Sequence, residues 1–175
     1  MPEYRRWRRP GGTYFFTVNL RDRRKRWLIE HIDDLRRATS AVRAAHPFTI
    51  DAAVILPDHL HTIWTLPDGD SDFSMRWRLI KSRFSISIEN TRPRRPSERA
   101  RGEHGVWQRR FYEHLIRDED DYIAHVDYIH YNPVKHGHAD RPIDWLHSSI
   151  HRYVRDGILT PDWGPHGEVA DRDLD

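Results

Sequence analysis

Apolar residues follow two different rhythms along this chain. Thr13-Tyr-Phe-Phe-Thr-Val-Asn-Leu20 follows the Gly11-Gly12 turn, is rich in aromatic and β-branched side chains, and predicts a strand. Phe48 to Leu56 and His59 to Leu66 predict two more, joined as a hairpin through the tight Pro57-Asp58 turn. Elsewhere the period becomes helical. Leu35, Ala38, Val42 and Ala45 share one face, with Asp33 or Asp34 placed to cap the helix. Phe73, Trp77, Ile80, Phe84 and Ile88 recur at spacings of four and three and mark a second helix. Val106 to Ile116 reads as extended. Asp118 opens a third long helix, with Glu119, Asp120 and Asp121 complementing its dipole and a stripe of Ile123, Val126 and Ile129 or His130. Pro133 and Gly137 limit its end, and a short helix is expected after Trp145.

The order β-α-β-β-α-β-α predicts the α+β class: a ferredoxin-like sandwich, with an antiparallel sheet and helices packed mainly on one face. At 175 residues, 37% hydrophobic and 32% charged, the chain suits one globular domain. No repeat and no second domain is visible. Residues 1–165 are read as one domain, carrying a basic loop at 92–104, and 166–175 as an acidic tail. No apolar run is long enough to span a bilayer, and Met-Pro-Glu-Tyr-Arg-Arg-Trp lacks the apolar core of a secretory signal, so a cytoplasmic location is the expectation. The absence of cysteine excludes disulfides and thiolate zinc sites.

The formal net charge of +2 conceals an asymmetry. Residues 1–26 hold nine Lys/Arg against Glu3 and Asp22, a net +7; residues 76–110 hold eleven against Glu89, Glu98 and Glu103, a net +8. Two basic stretches suit a polyanion, although each could also be a solvated surface. Tyr4, Trp7, Trp27, Trp77 and Trp107 are interleaved with them, and aromatics among cations favour single strands whose bases can stack. Arg76 and Arg83, off the apolar stripe of their helix, could face DNA.

Candidate chemistry centres on His59-Leu60-His61. Residues i and i+2 of a strand share a face, so two imidazoles here could hold one divalent ion. They could equally pair with carboxylates or pack beside Trp64. Leu60 and Ile63 are read as facing the other way. Tyr128 and Asn132 lie one helical turn apart, so one helix could supply a nucleophile and an oxygen ligand. Tyr122 and Tyr131 compete for any tyrosine role, and Asn132, preceding Pro133, could instead end the helix. A phenol suits reversible phosphodiester chemistry, because with a pKa of about 10 it leaves more readily than a serine alcohol. A mixed N/O set suits Mg2+ or Mn2+ in use and would bind Ni2+ or Zn2+ more tightly.

With those residues in place, the chain resembles the REP-associated tyrosine transposases, a bacterial single-tyrosine branch of the HUH single-strand endonucleases. The resemblance covers nearly the whole chain. It rests on Gly11-Gly-Thr-Tyr-Phe-Phe-Thr-Val-Asn19, Leu56-Pro-Asp-His-Leu-His-Thr-Ile-Trp64, Trp107-Gln-Arg-Arg-Phe111 and Asp127-Tyr-Ile-His-Tyr-Asn-Pro-Val-Lys-His-Gly137. It implies that His59 and His61 bind Mg2+ or Mn2+, with Asn132 where relatives place a polar third ligand. It implies that Tyr128 attacks a DNA phosphate, leaving a 5′-phosphotyrosine and a free 3′-OH. The implied partner is single-stranded hairpin DNA of the repetitive extragenic palindrome type, contacted through Arg5, Arg6, Arg8, Arg9, Arg78, Lys81, Arg109, Arg110 and Lys135. The protein is expected to act as a monomer or homodimer, since one tyrosine per chain makes one covalent link. Two rival readings are a domesticated hairpin binder that does not cleave, and a metal phosphoesterase using water with Asp58 or Glu113 as base.

Overall fold

The computed structural model of the protein describes residues 7–89, 96–100 and 105–164. Arg5, Arg6, the acidic tail at 166–175 and the basic loop other than 96–100 therefore lie outside the described residues. The elements are β1 (Thr13–Asn19), α1 (Trp27–Glu30), α2 (Ile32–Ala45), β2 (Thr49–Ile55), β3 (His59–Thr65) and α3 (Phe73–Glu89), then α4 (Pro96–Ala100), β4 (Tyr112–Leu115), α5 (Glu119–Lys135) and α6 (Ile150–Arg155), with a 3-10 turn at Pro142–Asp144. The four strands form one antiparallel sheet in the order β2-β3-β1-β4. That is the ferredoxin-like order, and α2 and α3, the two connecting helices, share one face as expected. Helix α5 lies beyond this core and covers the other face with α6.

Two cores result from the two-residue period of the central strand β1. Tyr14, Phe16 and Val18 turn toward α2 and α3, where they meet Trp64, Val42, Phe73, Trp77, Ile80 and Phe84. Trp64 and Trp77 stack at 4.2 Å across that layer. Phe15 turns the other way and joins Ile63, Val54, Val126, Tyr128 and Ile129. Ile63 is therefore on the same face as His59 and His61, as a spacing of four and two residues requires, and only Leu60 faces away.

Several local expectations change. Helix α2 starts at Ile32, so Asp33 and Asp34 sit in its first turn rather than at its cap. Only Tyr112–Leu115 of the extended 106–116 segment is a ladder strand, with Trp107 bridging Leu20 upstream. Of the expected α5 stripe, Val126, Ile129 and His130 are buried and Ile123 is exposed; Asp121, His125, Tyr128 and Asn132 are buried beside them. Arg76 does not face DNA. It is 1% exposed and donates to the carbonyls of His46, Pro47 and Asp72 and to Asp70, fastening the start of α3 to the end of α2. Arg83 is exposed. No helix among the described residues is long and apolar enough to cross a membrane.

Candidate active site

The β2–β3 hairpin and α5 build the site between them. Strand β3 is central, so both flanking strands fix its register; Thr17 of β1 and Val54 of β2 sit opposite His61, and Asn19 opposite His59. Both imidazoles are buried, with ring centroids 5.0 Å apart. Helix α5 starts at Asp118, whose side chain accepts from the Asp121 amide at 2.8 Å, and runs through Pro133 to Lys135. Asn132 therefore does not end the helix. The face that positions Tyr128 against the sheet also carries Asn132, one turn later.

The ring of Tyr128 meets His61 edge-on, with centroids 5.2 Å apart and planes at 75°. Phe15 packs against both rings and holds them in place. Tyr128 is 2% exposed, and Lys135 places its ammonium 5.0 Å from the ring centroid. Tyr122 and Tyr131 are on other parts of the helix surface. Tyr122 packs with the Tyr153 core, where burial first, and then its hydrogen bond with Tyr153, raise its phenol out of useful range.

Each histidine is oriented through its Nδ1. For His59 that atom lies 2.7 Å from Asp58 Oδ1 and 3.2 Å from Arg23 Nη2; the carboxylate contact is the shorter, and a carboxylate only accepts, so Nδ1 carries the proton and the lone pair is on Nε2. Burial raises the Asp58 carboxyl, but hydrogen bonds from Arg23 and His59 outweigh it and hold the group below its ordinary value. Arg23 also donates to Asn19 Oδ1 at 2.8 Å. For His61, Nδ1 lies 2.8 Å from the Thr17 hydroxyl, so Nε2 is the atom that would meet a ligand. Burial, followed by the neighbouring His59, pushes His61 well below its ordinary value, which keeps it in the neutral form a metal needs.

The amide of Asn132 tests whether a metal fits. Asn132 is fully buried, and neither its Oδ1 nor its Nδ2 has a hydrogen-bond partner among the described residues. A buried amide without partners is costly unless something coordinates it. Two imidazoles and this carbonyl oxygen are a suitable donor set for a divalent ion with open positions.

The two carboxylates expected as candidate water-activating bases are placed differently. Asp58 is held by His59 and Arg23. Glu113 sits opposite Phe16 in the ladder, so it projects to the α2–α3 side of the sheet, away from His61.

The expected DNA contacts separate into groups. Gln108 N donates to Asn19 O at 2.9 Å, which brings the Trp107–Arg110 segment, with exposed Arg109 and Arg110, to the histidine end of the sheet. Lys135 is beside Tyr128. Lys81 donates to Gln108 O at 2.7 Å and so braces that segment, while Arg78, one turn earlier on α3, is exposed. Arg8 and Arg9 are exposed at the opposite end of β1, about 20 Å away by strand rise. There Arg8 contacts Ser74 and lies 3.8 Å from Asp72.

Sequence reasoning missed Thr17, Arg23 and the orienting role of Asp58. Thr17 and Asn19 stand in the Gly11–Asn19 motif and Asp58 in the turn before His59, but only strand pairing shows that they face the histidines. His136, at the end of α5, was also missed; its ring centroid is 5.0 Å from that of His59.

No protein-family model matches the chain. Individual relatives do. A protein of Escherichia coli strain K12 described as a REP-associated tyrosine transposase is 48% identical over 171 residues, 98% of this chain and 94% of that one. A Haemophilus influenzae relative carrying that family description is 42% identical over 170 residues, 97% of each chain. The solved structure of a REP-associated tyrosine transposase bound to a REP hairpin aligns with a TM-score of 0.83 at 47% identity, covering 99% of this chain and 96% of that one.

Proposed function

This chain belongs to the REP-associated tyrosine transposases, a class of DNA-cleaving enzymes, and on that premise we propose that it cuts and rejoins single-stranded hairpin DNA of the REP type through Tyr128. The observation that carries the reading is the packing of Tyr128 edge-on to His61, one helical turn from the buried amide of Asn132, which has no hydrogen-bond partner among the described residues.

His59 Nε2, His61 Nε2 and Asn132 Oδ1 would hold the ion. Mg2+ or Mn2+ bound there supplies charge that polarises the scissile phosphate and stabilises its transition state. Asp58 keeps the His59 imidazole in the binding tautomer, and Thr17 orients that of His61. Lys135 moves from the Tyr128 ring to the incoming phosphate, which uncovers the phenol and places a cation beside the developing charge. The Tyr128 oxygen bonds to phosphorus as the bond to the 3′ oxygen breaks. The phenol gives up its proton, the 3′ oxygen gains one, and the products are a 5′-phosphotyrosine and a free 3′-OH. Reversal with another 3′-OH transfers the strand.

Arg109 and Arg110 hold the strand near the cleaved phosphate, while Arg8, Arg9 and Arg78 reach the hairpin further away. One tyrosine per chain makes one covalent link at a time, so a full transfer uses two copies or two rounds.

A denaturing gel tests this, with labelled single-stranded hairpin DNA, Mn2+ and either wild type or Tyr128→Phe. A protein–DNA band that survives denaturation is expected in wild type alone. Cleavage by both proteins without such a band would mean hydrolysis by water. Binding without cleavage by wild type would make the protein a hairpin binder.

A further inference from the structure

We propose that His114, Asp121 and His125 form a second divalent-metal site, of the zinc or cobalt type, that clips β4 to the start of α5. These three are the one group among the described residues in which three His, Cys, Asp or Glu ligand atoms all lie within 4.8 Å of one another. They belong to two elements. His114 stands on β4 opposite Phe15, which turns it to the α5 side of the sheet, and Asp121 and His125 are one turn apart on α5.

Two imidazoles and a carboxylate are a common donor set for zinc, with a fourth position left to water. The spacing is near what an ion needs. His114 Nε2 lies 2.8 Å from Asp121 Oδ2, and His125 Nδ1 lies 3.2 Å from Asp121 Oδ1. Ligand atoms about a tetrahedral zinc are separated by about 3.3 Å, given bonds of about 2.0–2.1 Å. The His125–Asp121 pair is already at that separation, and the three ligand atoms, all within 4.8 Å of one another, need only small side-chain adjustments to surround one ion. His125 Nδ1 currently donates to the Asp121 carbonyl at 2.7 Å, and this proton must leave when the ion enters.

Arg117 is the other occupant to consider. Its backbone N and its Nε both donate to Asp121 Oδ2, at 2.9 and 3.1 Å. Oδ1 is on the His125 side, so the carboxylate can keep Arg117 and bind an ion at once. His114 is about one-quarter exposed and gives a route in, whereas Asp121 and His125 are buried and exclude competing water.

The site shares no residue with the His59–His61 centre. Asp121 precedes Tyr128 by seven residues and Asn132 by eleven, about 10 and 16 Å along the helix. Its effect would be mechanical. Strand β4 has four residues and pairs with β1, and α5 carries the nucleophile. An ion tying the two would stiffen the platform under Tyr128.

The experiment uses the full chain carrying His59→Ala and His61→Ala, so the catalytic centre cannot contribute. Zn2+ is titrated by calorimetry and Co2+ by visible absorption, with far-UV circular dichroism confirming the fold. One bound equivalent with tetrahedral Co2+ bands and a raised melting temperature is expected. Adding His114→Gln or His125→Gln should weaken binding by about 100-fold or more. A parent protein that shows no saturable Zn2+ binding and no Co2+ bands overturns the proposal, and so does binding that both glutamine variants leave unchanged. In either case the cluster is a hydrogen-bonded lock only.

Discussion

Replacing Asn132 by leucine should make the protein more stable and less able to bind metal. Leucine branches at the same carbon as asparagine and presents no polar atom. Asn132 is fully buried, with Oδ1 and Nδ2 both lacking hydrogen-bond partners among the described residues. A buried polar group left without a partner costs about 1–3 kcal/mol. The apo protein should therefore gain about that amount, less the strain of the slightly larger side chain. A chain of this size shifts its melting temperature by about 2–4 °C per kcal/mol, so a rise of several degrees in EDTA is expected. In saturating Mn2+ the order should reverse. Wild type gains stability with the logarithm of the ion concentration over Kd, and the variant, with an oxygen ligand removed, gains much less. Differential scanning calorimetry of both proteins, in EDTA and across a Mn2+ series, gives every quantity. If Asn132→Leu melts below wild type in EDTA, the amide is already satisfied and the argument from its burial fails. If it keeps the wild-type Mn2+ response, Asn132 is not a ligand.

Three further outcomes follow from the same geometry. Tyr128→Phe should abolish the covalent adduct yet leave hairpin binding intact, which the denaturing gel and a mobility-shift assay read together. Arg76→Ala should lower stability by about 3–5 kcal/mol, because it leaves buried carbonyls and Asp70 unpaired, and should not change the salt dependence of hairpin binding; urea melts and a salt titration check this, and a normal melt with a shallower salt slope would make Arg76 a DNA contact after all. Stability should also fall with acid. Burial, with Arg152 and His151 nearby, holds His130 down at about 3 against 6.5 for an ordinary histidine, so the unfolded chain takes up the proton first. Stability from this ring is level above about pH 6.5 and drops by about 1.4 kcal/mol per pH unit below it. Asp121, brought down to about 2 by hydrogen bonds from Arg117 and His114 that outweigh its burial, adds a further loss as pH falls below about 4. The difference in urea midpoint between wild type and His130→Gln from pH 7.5 to 4.5 measures this ring's part, and a difference that does not change with pH would mean that burial does not hold His130 down.

The chain's own order of residues determined the four strands, the three long helices and the class, and it singled out His59, His61, Tyr128 and Asn132 as candidates. Those features are local. A two-residue period puts His59 and His61 on one face whatever surrounds them, and a 3.6-residue period puts Tyr128 and Asn132 on one face. Length, charge and the quoted motifs were equally readable without coordinates. Tertiary structure decided which of these faces meet, because side chains distant in sequence come together only through strand register and helix docking. The β1–β3 register sets Thr17 against His61 and Asn19 against His59, and the docking of α5 brings Tyr128 to His61. Periodicity could not tell that Arg76 is buried, because a long cation off an apolar stripe looks the same whether water or carbonyl oxygens receive it. Nor could it show how many polar groups the buried side of α5 carries. Val126 and Ile129 are buried as the period requires, but Asp121, His125, Tyr128 and Asn132 are buried beside them, while Ile123 faces water. Helical period marks an inward face by its apolar residues and is blind to buried polar ones, whose cost to stability is understood only once the elements around them are assembled.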